Sequence, residues 1–370
     1  MTRPLAAERP HFELQATVHV FVAFDWGDSI DLDRALSLAP SQTHSLPRER
    51  RTPRSIEYRP PPLRFPLPAW QPHWPKSFKT EATADATVFD FGAVSVASHL
   101  LVRTSSAELL STIGSLADSQ LLIDPARRAA EALFAKLQPS IERPQWSPLS
   151  EEYVVIQLHE WDGCSASRLI EEHPQWLAGL IRLEPDPLSD EEVVESLKAR
   201  KSYSSADLVI VDWSGAVVVD ESPEEILDLL LFANLQLLEM RQINGHLESE
   251  LETAWHVSRH HSRSWLPFWR THARRVRALG AVKVDAHGML ERTTNILKLV
   301  GDPYLARVYQ LLVGRFRLDQ WADDNRRAIA VLESIYQVLT QQAATYRAEF
   351  LEITIALLIL YEILFPFFTS

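Results

Sequence analysis

The sequence contains a single cysteine, Cys164, among its 370 residues. One thiol cannot form an intrachain disulfide or a cysteine-based metal site, which fits a reducing compartment. The sequence also lacks a GxxxxGK[ST] loop, a GxSxG motif and a GxGxxG motif after a strand, so the major nucleotide-binding and hydrolase classes have no support in it. No apolar core of a secretory signal occurs in the first fifteen residues. We therefore expect the bulk of the chain to lie in the cytoplasm.

Basic residues are also fewer than acidic ones. There are 37 Lys and Arg against 49 Asp and Glu, which gives a formal net charge of −12. A general nucleic-acid-binding surface needs a basic face that displaces counterions from phosphates, so nucleic acid is not an expected partner. Hydrophobic residues make up 46% of the chain, ample for a packed core.

The first 220 residues have the pattern of a mixed α+β region. β-rich runs predict strands at 18–24, 87–97, 153–158, 208–211 and 216–219, the last two forming a hairpin around Asp212–Gly215. A serine at 105 or 106 is the expected cap of a helix, and Ser189 has capping-box spacing. Residues 40–76 carry ten prolines and several arginines, which predicts a solvated insertion without regular strand pairing.

The second half of the sequence changes to helical patterns. Ser222, Pro223 and Glu225 predict the start of a helix that runs past Leu251, and Asp302–Pro303 predicts another helix start. From Trp321 onward, a coiled-coil-like seam with polar interruptions is predicted at positions 321, 325, 328, 332, 335, 339, 342 and 346. We interpret this half as a long antiparallel helical hairpin.

One long apolar run ends the sequence, at residues 351–368. As a helix it would rise roughly 27 Å, close to the ~30 Å hydrocarbon core of a bilayer, and it therefore predicts a transmembrane helix. Glu362 lies inside the run, and a carboxyl group in hydrocarbon needs another helix or a polar lumen, which indicates an oligomer. The alternative is that this run packs in a protein core, with Glu362 at an exposed edge.

Several short motifs then resemble those of a known family. They are HVFVAFDWGDSIDL at 19–32, VFDFG at 88–92, and the ending with Arg347, Leu351, Glu352 and Glu362. In these motifs the chain resembles a bacterial member of the required-for-meiotic-nuclear-division family, a domain of unknown function. The resemblance implies an α+β region, a helical hairpin and an apolar C-terminal segment. It also implies a link to organelle translation, which mitochondrial members support, and it implies no catalytic residue.

Two residue clusters allow other interpretations. His256 and His260 stand four apart, as two metal-binding imidazoles on one helix face would, although position 257 is valine and no HExxH motif is present. An exposed helix face is the simpler interpretation. The segment around Trp265 and Trp269 mixes indoles with arginines, which suits either a hairpin turn with a partly buried aromatic cluster or contact with anionic lipid.

Together these patterns predict an α+β fold, in which an N-terminal mixed sheet with flanking helices precedes a long C-terminal helical hairpin that ends in an apolar helix. The predicted boundaries are a tail at 1–17, an α+β domain at 18–220, the hairpin at 221–350 and a transmembrane helix at 351–368.

The predicted function is that of a non-enzymatic, tail-anchored oligomeric scaffold or tether at the cell membrane. Its expected partners are membrane lipid, further copies of the chain and a protein of unknown identity. The expected contact residues are Arg347, Glu352, Glu362, Trp265 and Trp269. No catalytic, cofactor-binding or metal-ligating residue is predicted. The alternative function is a metal-dependent soluble or peripheral enzyme that uses His256 and His260, and an RNA- or ribosome-contacting factor is a third, minor interpretation.

Overall fold

A computed structural model describes residues 12–39, 60–70, 80–161, 165–260 and 302–368. The strands are β1 (Glu13–Asp25), β2 (Ser29–Ile30), β3 (Leu63–Leu67), β4 (Thr80–Val88), β5 (Ala93–Ser105), β6 (Ile141–Glu142), β7 (Ser150–Glu160), β8 (Arg200–Lys201), β9 (Leu208–Val211) and β10 (Gly215–Val219). The α-helices are α1 (Leu32–Leu38), α2 (Ser106–Ile113), α3 (Ser119–Leu137), α4 (Ala166–Glu172), α5 (Pro174–Arg182), α6 (Asp190–Ser196), α7 (Glu224–His260), α8 (Pro303–Arg315) and α9 (Leu318–Phe368).

Eight of the strands form one mixed sheet, in the order β3-β4-β5-β1-β7-β10-β9-β8. Its neighbours are antiparallel except for β7 and β10, which pair in parallel. Most residues of the long central strands β1, β5 and β7 are buried, whichever face of the sheet they point to. The sheet is therefore covered on two sides. The prediction of a mixed sheet with flanking helices is therefore confirmed.

The main core lies on one face of this sheet. Val18, Val20 and Val22 of β1 are fully buried there, together with Leu109 of α2 and Trp176 of α5. Over the opposite face, α7 contributes Phe232, whose ring lies 5.9 Å from that of Phe89. Because α7 is buried all around between Leu229 and Met240, it acts as a core helix over this stretch.

The predicted helix caps at Ser105, Ser189 and Asp302 and the hairpin at 208–219 are confirmed. Ser105 accepts a hydrogen bond from the N–H of Glu108, and Ser189 accepts one from Glu192. Asp302 accepts hydrogen bonds from the N–H groups of Tyr304 and Leu305. Each cap satisfies donors that the first helical turn leaves open, which is why a local pattern sufficed to find it.

Two strand predictions differ from the structure. The run 87–97 is the junction of β4 and β5, where the chain turns at Asp90–Gly92 instead of bending within one strand. Within the proline-rich stretch 40–76, Leu63–Leu67 forms the edge strand β3, so the prediction that this stretch lacks strand pairing is wrong there. An edge strand tolerates Pro66 because one side of its backbone needs no ladder partner.

The chain divides into two compact units. One comprises Met1–Met240 with Arg292–Asp319, and the other comprises Arg241–Glu291 with Gln320–Ser370. The first contains the sheet, and the second contains the distal parts of α7 and α9. The domain boundaries predicted from the sequence stay a prediction.

The prediction of a membrane-spanning tail is wrong. Among the residues described, no helix has a stretch both long and apolar enough to cross a membrane. The predicted tail anchor, transmembrane helix 351–368 and cell-membrane location are overturned with it.

Candidate functional site

The distal half of α9 exposes a large amount of apolar surface. Nine large apolar side chains between Phe350 and Tyr361 are each 44–63% exposed, and we call this stretch the apolar segment. They are Phe350, Leu351, Ile353, Ile355, Leu357, Leu358, Ile359, Leu360 and Tyr361. They lie on every side of the helix, whereas a helix at the surface of a globular protein normally shows one apolar stripe.

A stripe of buried residues near the start of α9 lies on the same side of the helix as part of the apolar segment. Its members, Leu318, Ala322, Asn325, Ile329 and Leu332, are separated by alternating steps of four and three residues, and we call them the buried seam. Continued at these steps, the seam reaches Phe350, Ile353, Leu357 and Leu360. The predicted register is therefore partly wrong: it shares Asn325 and Leu332 with the buried seam, but its positions 321 and 328 are only half-buried.

The sheet itself carries a connected row of polar side chains, which the sequence patterns did not indicate. His19 of β1 lies directly opposite His99 of β5, and their Nδ1 atoms are 2.7 Å apart. On the β4 side, Nε2 of His99 is 2.9 Å from Oδ2 of Asp85. The Nε of Arg64 on β3 lies 3.4 Å from Oδ1 of Asp85. The row thus crosses four neighbouring strands on one face of the sheet.

On the β7 side the row continues through an amide to a third imidazole. Nε2 of His19 is 3.1 Å from Oε1 of Gln157, whose Nε2 is 3.4 Å from Nδ1 of His159. Nε2 of His159 is 2.7 Å from the hydroxyl of Thr17. The β1–β7 register shifts between Gln15 and Ala16 and gives His159 no Cα partner. A bulge of this kind re-aims a side chain. We call the row from Arg64 to Thr17 the sheet-face ladder.

Burial controls the charge of the central imidazole in the ladder. His19 is 6% exposed, and its burial, reinforced by the nearby imidazole of His99, lowers its pKa to about 3. His19 is therefore neutral near pH 7. A sequence signal for the ladder does exist: His19 and Gln157 each interrupt an otherwise apolar, buried strand, where an unsatisfied polar group would be costly.

A second polar cluster surrounds Asp212, whose side chain is 2% exposed. The Nε atoms of Arg182 and Arg315 lie 2.7 Å and 2.6 Å from its two carboxylate oxygens. The Nε–H of Arg315 is not aligned as a hydrogen bond, so this contact is mainly an attraction of charges. The N–H of Trp213 donates to Oδ1 at 2.7 Å. The sequence motif suggested a turn, but the structure makes Asp212 a buried counter-ion for two arginines.

The Asp212 cluster ties the β9–β10 turn to three other elements. Tyr153 of β7 donates a hydrogen bond from its hydroxyl to the backbone carbonyl of Asp212 at 2.9 Å. Burial raises the pKa of Tyr153, and the charge of Asp212 adds to that effect. A cavity of about 130 Å³ lies beside the cluster and is lined in part by Arg182, Trp213 and Asn234. Since the Asp212 carboxylate is already paired with two cations, we interpret the cluster as structural.

Of the residues predicted as contact sites, only Glu352 has a described side chain, so their meeting at one site stays a prediction. Glu352 is exposed within the apolar segment. Arg347 and Glu362 belong to α9, but their side chains lie outside the described set, as do those of His256 and His260 in α7. Trp265 and Trp269 lie outside the described residues altogether. Among the side chains that are described, no group of three His, Cys, Asp or Glu is placed to hold a metal ion.

Comparison with known proteins then identifies the family. A family model described as "Uncharacterized protein MJ0711, N-terminal domain" matches residues 15–225, which include every strand of the large sheet and the start of α7. The chain belongs to this family. An uncharacterized protein MJ0711 from Methanocaldococcus jannaschii is 23% identical to it over 237 residues, covering 63% of the chain and 71% of the relative. No solved structure matches the chain.

Membership in the MJ0711 family overturns the resemblance drawn from short motifs. Neither the family model nor the archaeal relative indicates the required-for-meiotic-nuclear-division family, so that assignment is wrong. The motifs that suggested it are short and largely apolar, and buried strands of unrelated proteins share such runs because a sheet core selects the same residue types. The link to organelle translation has no remaining basis.

Proposed function

We propose that this protein is a non-catalytic, self-associating protein whose copies are joined through the apolar segment of α9. The observation that carries the proposal is the exposure of nine large apolar side chains on consecutive turns of one helix. Together they expose on the order of 1,000 Å², more than the 300–600 Å² of the largest apolar patch on a typical monomer. That area also exceeds the ~800 Å² that each partner contributes to a stable interface.

The phase of the buried seam supports a second copy of the chain as the occupant. Ala322, Ile329 and Leu332 show that this face of α9 packs in the coiled-coil spacing within a single chain. The same spacing reaches Ile353, Leu357 and Leu360, which are 51–60% exposed. Identical helices bearing a heptad stripe pair with one another because each presents the knobs and holes that the other needs.

The side chains outside the stripe favour more than two copies. A two-stranded coil buries only the seam, but Ile355, Leu358 and Ile359 lie off it and are 49–62% exposed. Burying them requires additional helices around the same segment. The proposed assembly therefore contains at least three copies, and the long arms of α7 and α9 are proposed to form the predicted helical hairpin that carries the segment.

The test measures the mass of the full-length chain by sedimentation equilibrium in aqueous buffer. We expect an oligomer for the wild type and an association constant at least ~100-fold lower for the double variant Leu357→Asp, Leu360→Asp, because burying unpaired charge costs several kcal/mol. The matched control is Gln337→Asp, Gln341→Asp, which adds the same charge at exposed positions of α9. This control should associate like the wild type.

Two outcomes contradict the proposal. One is a wild-type chain that stays monomeric at micromolar concentration, even if its apolar segment binds a different protein. The other is a Leu357→Asp, Leu360→Asp variant that associates as strongly as the control. Circular dichroism of both double variants checks that the helix content is unchanged, so that a loss of association reports on the seam.

A further inference from the structure

We propose that the sheet-face ladder is a two-state proton relay, in which a second proton on His99 sets the direction of every hydrogen bond from Nδ1 of His99 to Thr17. The inference is independent of self-association. It rests on the distances between the ladder atoms and on the number of protons that each atom can carry.

One orientation of the Gln157 amide, with Oε1 toward His19, goes with a charged His99. Oε1 of Gln157 accepts only, so the facing Nε2 of His19 donates. Since His19 is neutral, its Nδ1 then has no proton and accepts from Nδ1 of His99. The other nitrogen of His99 faces a carboxylate oxygen of Asp85, which also accepts. In this first state both nitrogens of His99 carry protons, and the ring is an imidazolium.

Removing one proton reverses the row. A neutral His99 that donates to Asp85 must accept at Nδ1, so His19 must donate from its own Nδ1 and accept at Nε2. This change requires the amide of Gln157 to turn over and present its NH₂ group to His19. Oε1 of Gln157 then accepts from Nδ1 of His159, and Nε2 of His159 accepts from the hydroxyl of Thr17. Each nitrogen of the three imidazoles keeps a hydrogen-bond partner in both states, which makes the row bistable.

Solvent can deliver the proton at His99 and not at His19. The side chain of His99 is 25% exposed, whereas His19 is buried. The titratable groups in contact with His99 are Asp85 on β4 and His19 on β1. Further along the row, Arg64 on β3 contacts Asp85, Asp228 on α7 contacts Arg64, and His159 on β7 follows Gln157. Only the carboxylate of Asp85 therefore contacts His99 among the acids of the row.

Arg64 connects the relay to α7. Its Nη2 lies 3.3 Å from Oδ1 of Asp228, and its Nε lies 3.4 Å from Oδ1 of Asp85. When His99 is charged, Asp85 is shared between two cations and its attraction for Arg64 is partly offset. Loss of the proton returns Asp85 to Arg64 alone. The protonation of His99 therefore biases the contact between the edge strand β3 and the first turns of α7.

The experiment records the tautomers of His19, His99 and His159 by long-range ¹⁵N–¹H correlation on the full chain with labelled histidine, from about pH 5 to about pH 8. Single His→Gln variants assign the three signals among the 13 histidines. We expect His19 to change from the Nε2–H to the Nδ1–H form over the same pH interval in which His99 loses its second proton. His159 should change tautomer together with it.

Two variants separate a relay from a merely structural row. Asp85→Asn replaces an obligate acceptor by an amide that can also donate, so His99 no longer needs a second proton and the coupled change of His19 should be lost. Asp323→Asn, which alters an exposed acid paired with Arg326, is the matched control and should titrate like the wild type. A His19 tautomer that stays constant while His99 titrates overturns the proposal, as does an Asp85→Asn variant in which the coupled change persists.

Discussion

Glu239 carries a carboxyl group into the buried stretch of α7, where the residue is only 3% exposed. Burial raises its pKa well above the ordinary value, and the negative charge of Asp25 adds to the rise. Its Oε1 atom has no hydrogen-bond partner among the described residues. Burial therefore favours the protonated form of this carboxyl group in the folded protein, which costs stability at pH values where the unfolded chain ionises it.

Replacing Glu239 by Gln should stabilise the protein at pH 7. The folded state keeps its proton while the unfolded state ionises above about pH 4.3, so stability is lost as pH rises through that value. We expect a gain on the order of 1–3 kcal/mol in the free energy of unfolding at pH 7 and little difference near pH 4. Urea unfolding at the two pH values measures it.

The matched control for that variant is Glu248→Gln, at an exposed position of the same helix. It should change the free energy of unfolding by less than about 0.5 kcal/mol at either pH. A Glu239→Gln protein that is less stable than the wild type at pH 7 would show that the carboxyl group is ionised and paired in the folded state.

At the scale of elements, the β4–β5 turn is held against the segment that follows β1. The N–H of Trp26 donates to the carbonyl of Gly92 at 3.1 Å, and the N–H of Ile30 donates to Asp90 at 2.8 Å. Gly92 has a φ of +94°, and a Cβ atom added there would lie 1.8 Å from the carbonyl oxygen of Gly27. Both the backbone conformation and the close approach therefore require glycine.

Gly92→Ala should lower the free energy of unfolding by at least about 2 kcal/mol, since strain and a backbone clash add. Gly245→Ala, in the interior of α7 with open space around its Cβ, should instead raise it by roughly 0.8 kcal/mol. Chemical denaturation of the two variants compares them directly. Equal effects of the same sign would contradict this account of the turn.

At the scale of the whole molecule, copies of a chain with a net charge of −12 repel one another, so their association must come from apolar contact. Salt screens this repulsion within a Debye length of about 10 Å at 0.1 M and about 3 Å at 1 M. If the apolar segment joins the copies, screening weakens the repulsion between them. An apolar interface contains no stabilising ion pairs that the salt would weaken.

Raising the salt concentration from about 0.05 M to about 0.5 M should therefore strengthen self-association. Sedimentation equilibrium at the two concentrations gives the ratio of the association constants. An oligomer that dissociates in high salt would indicate an interface made of ion pairs and would contradict the apolar seam.

The contrast between what could and could not be predicted follows from sequence separation. The caps at Ser105, Ser189 and Asp302 join groups two or three residues apart, so the local pattern contains both partners. Asp212 looked like a turn residue because its two arginines, at 182 and 315, come from distant helices. The tail at 351–368 was predicted to span a membrane from its length and apolar content, but no described helix is both long and apolar enough to do so.

The sequence by itself determined the mixed α+β composition, the main helix starts and the apolar character of the chain's end, since caps, period-two runs and period-3.6 runs are short-range properties. Only the tertiary structure decided the strand order, the parallel pairing of β7 with β10, and the meeting of His19, His99 and Gln157 on one face of the sheet. The reason is physical: register and strand neighbours depend on which buried faces fit together across the whole chain, and no local stretch contains that information.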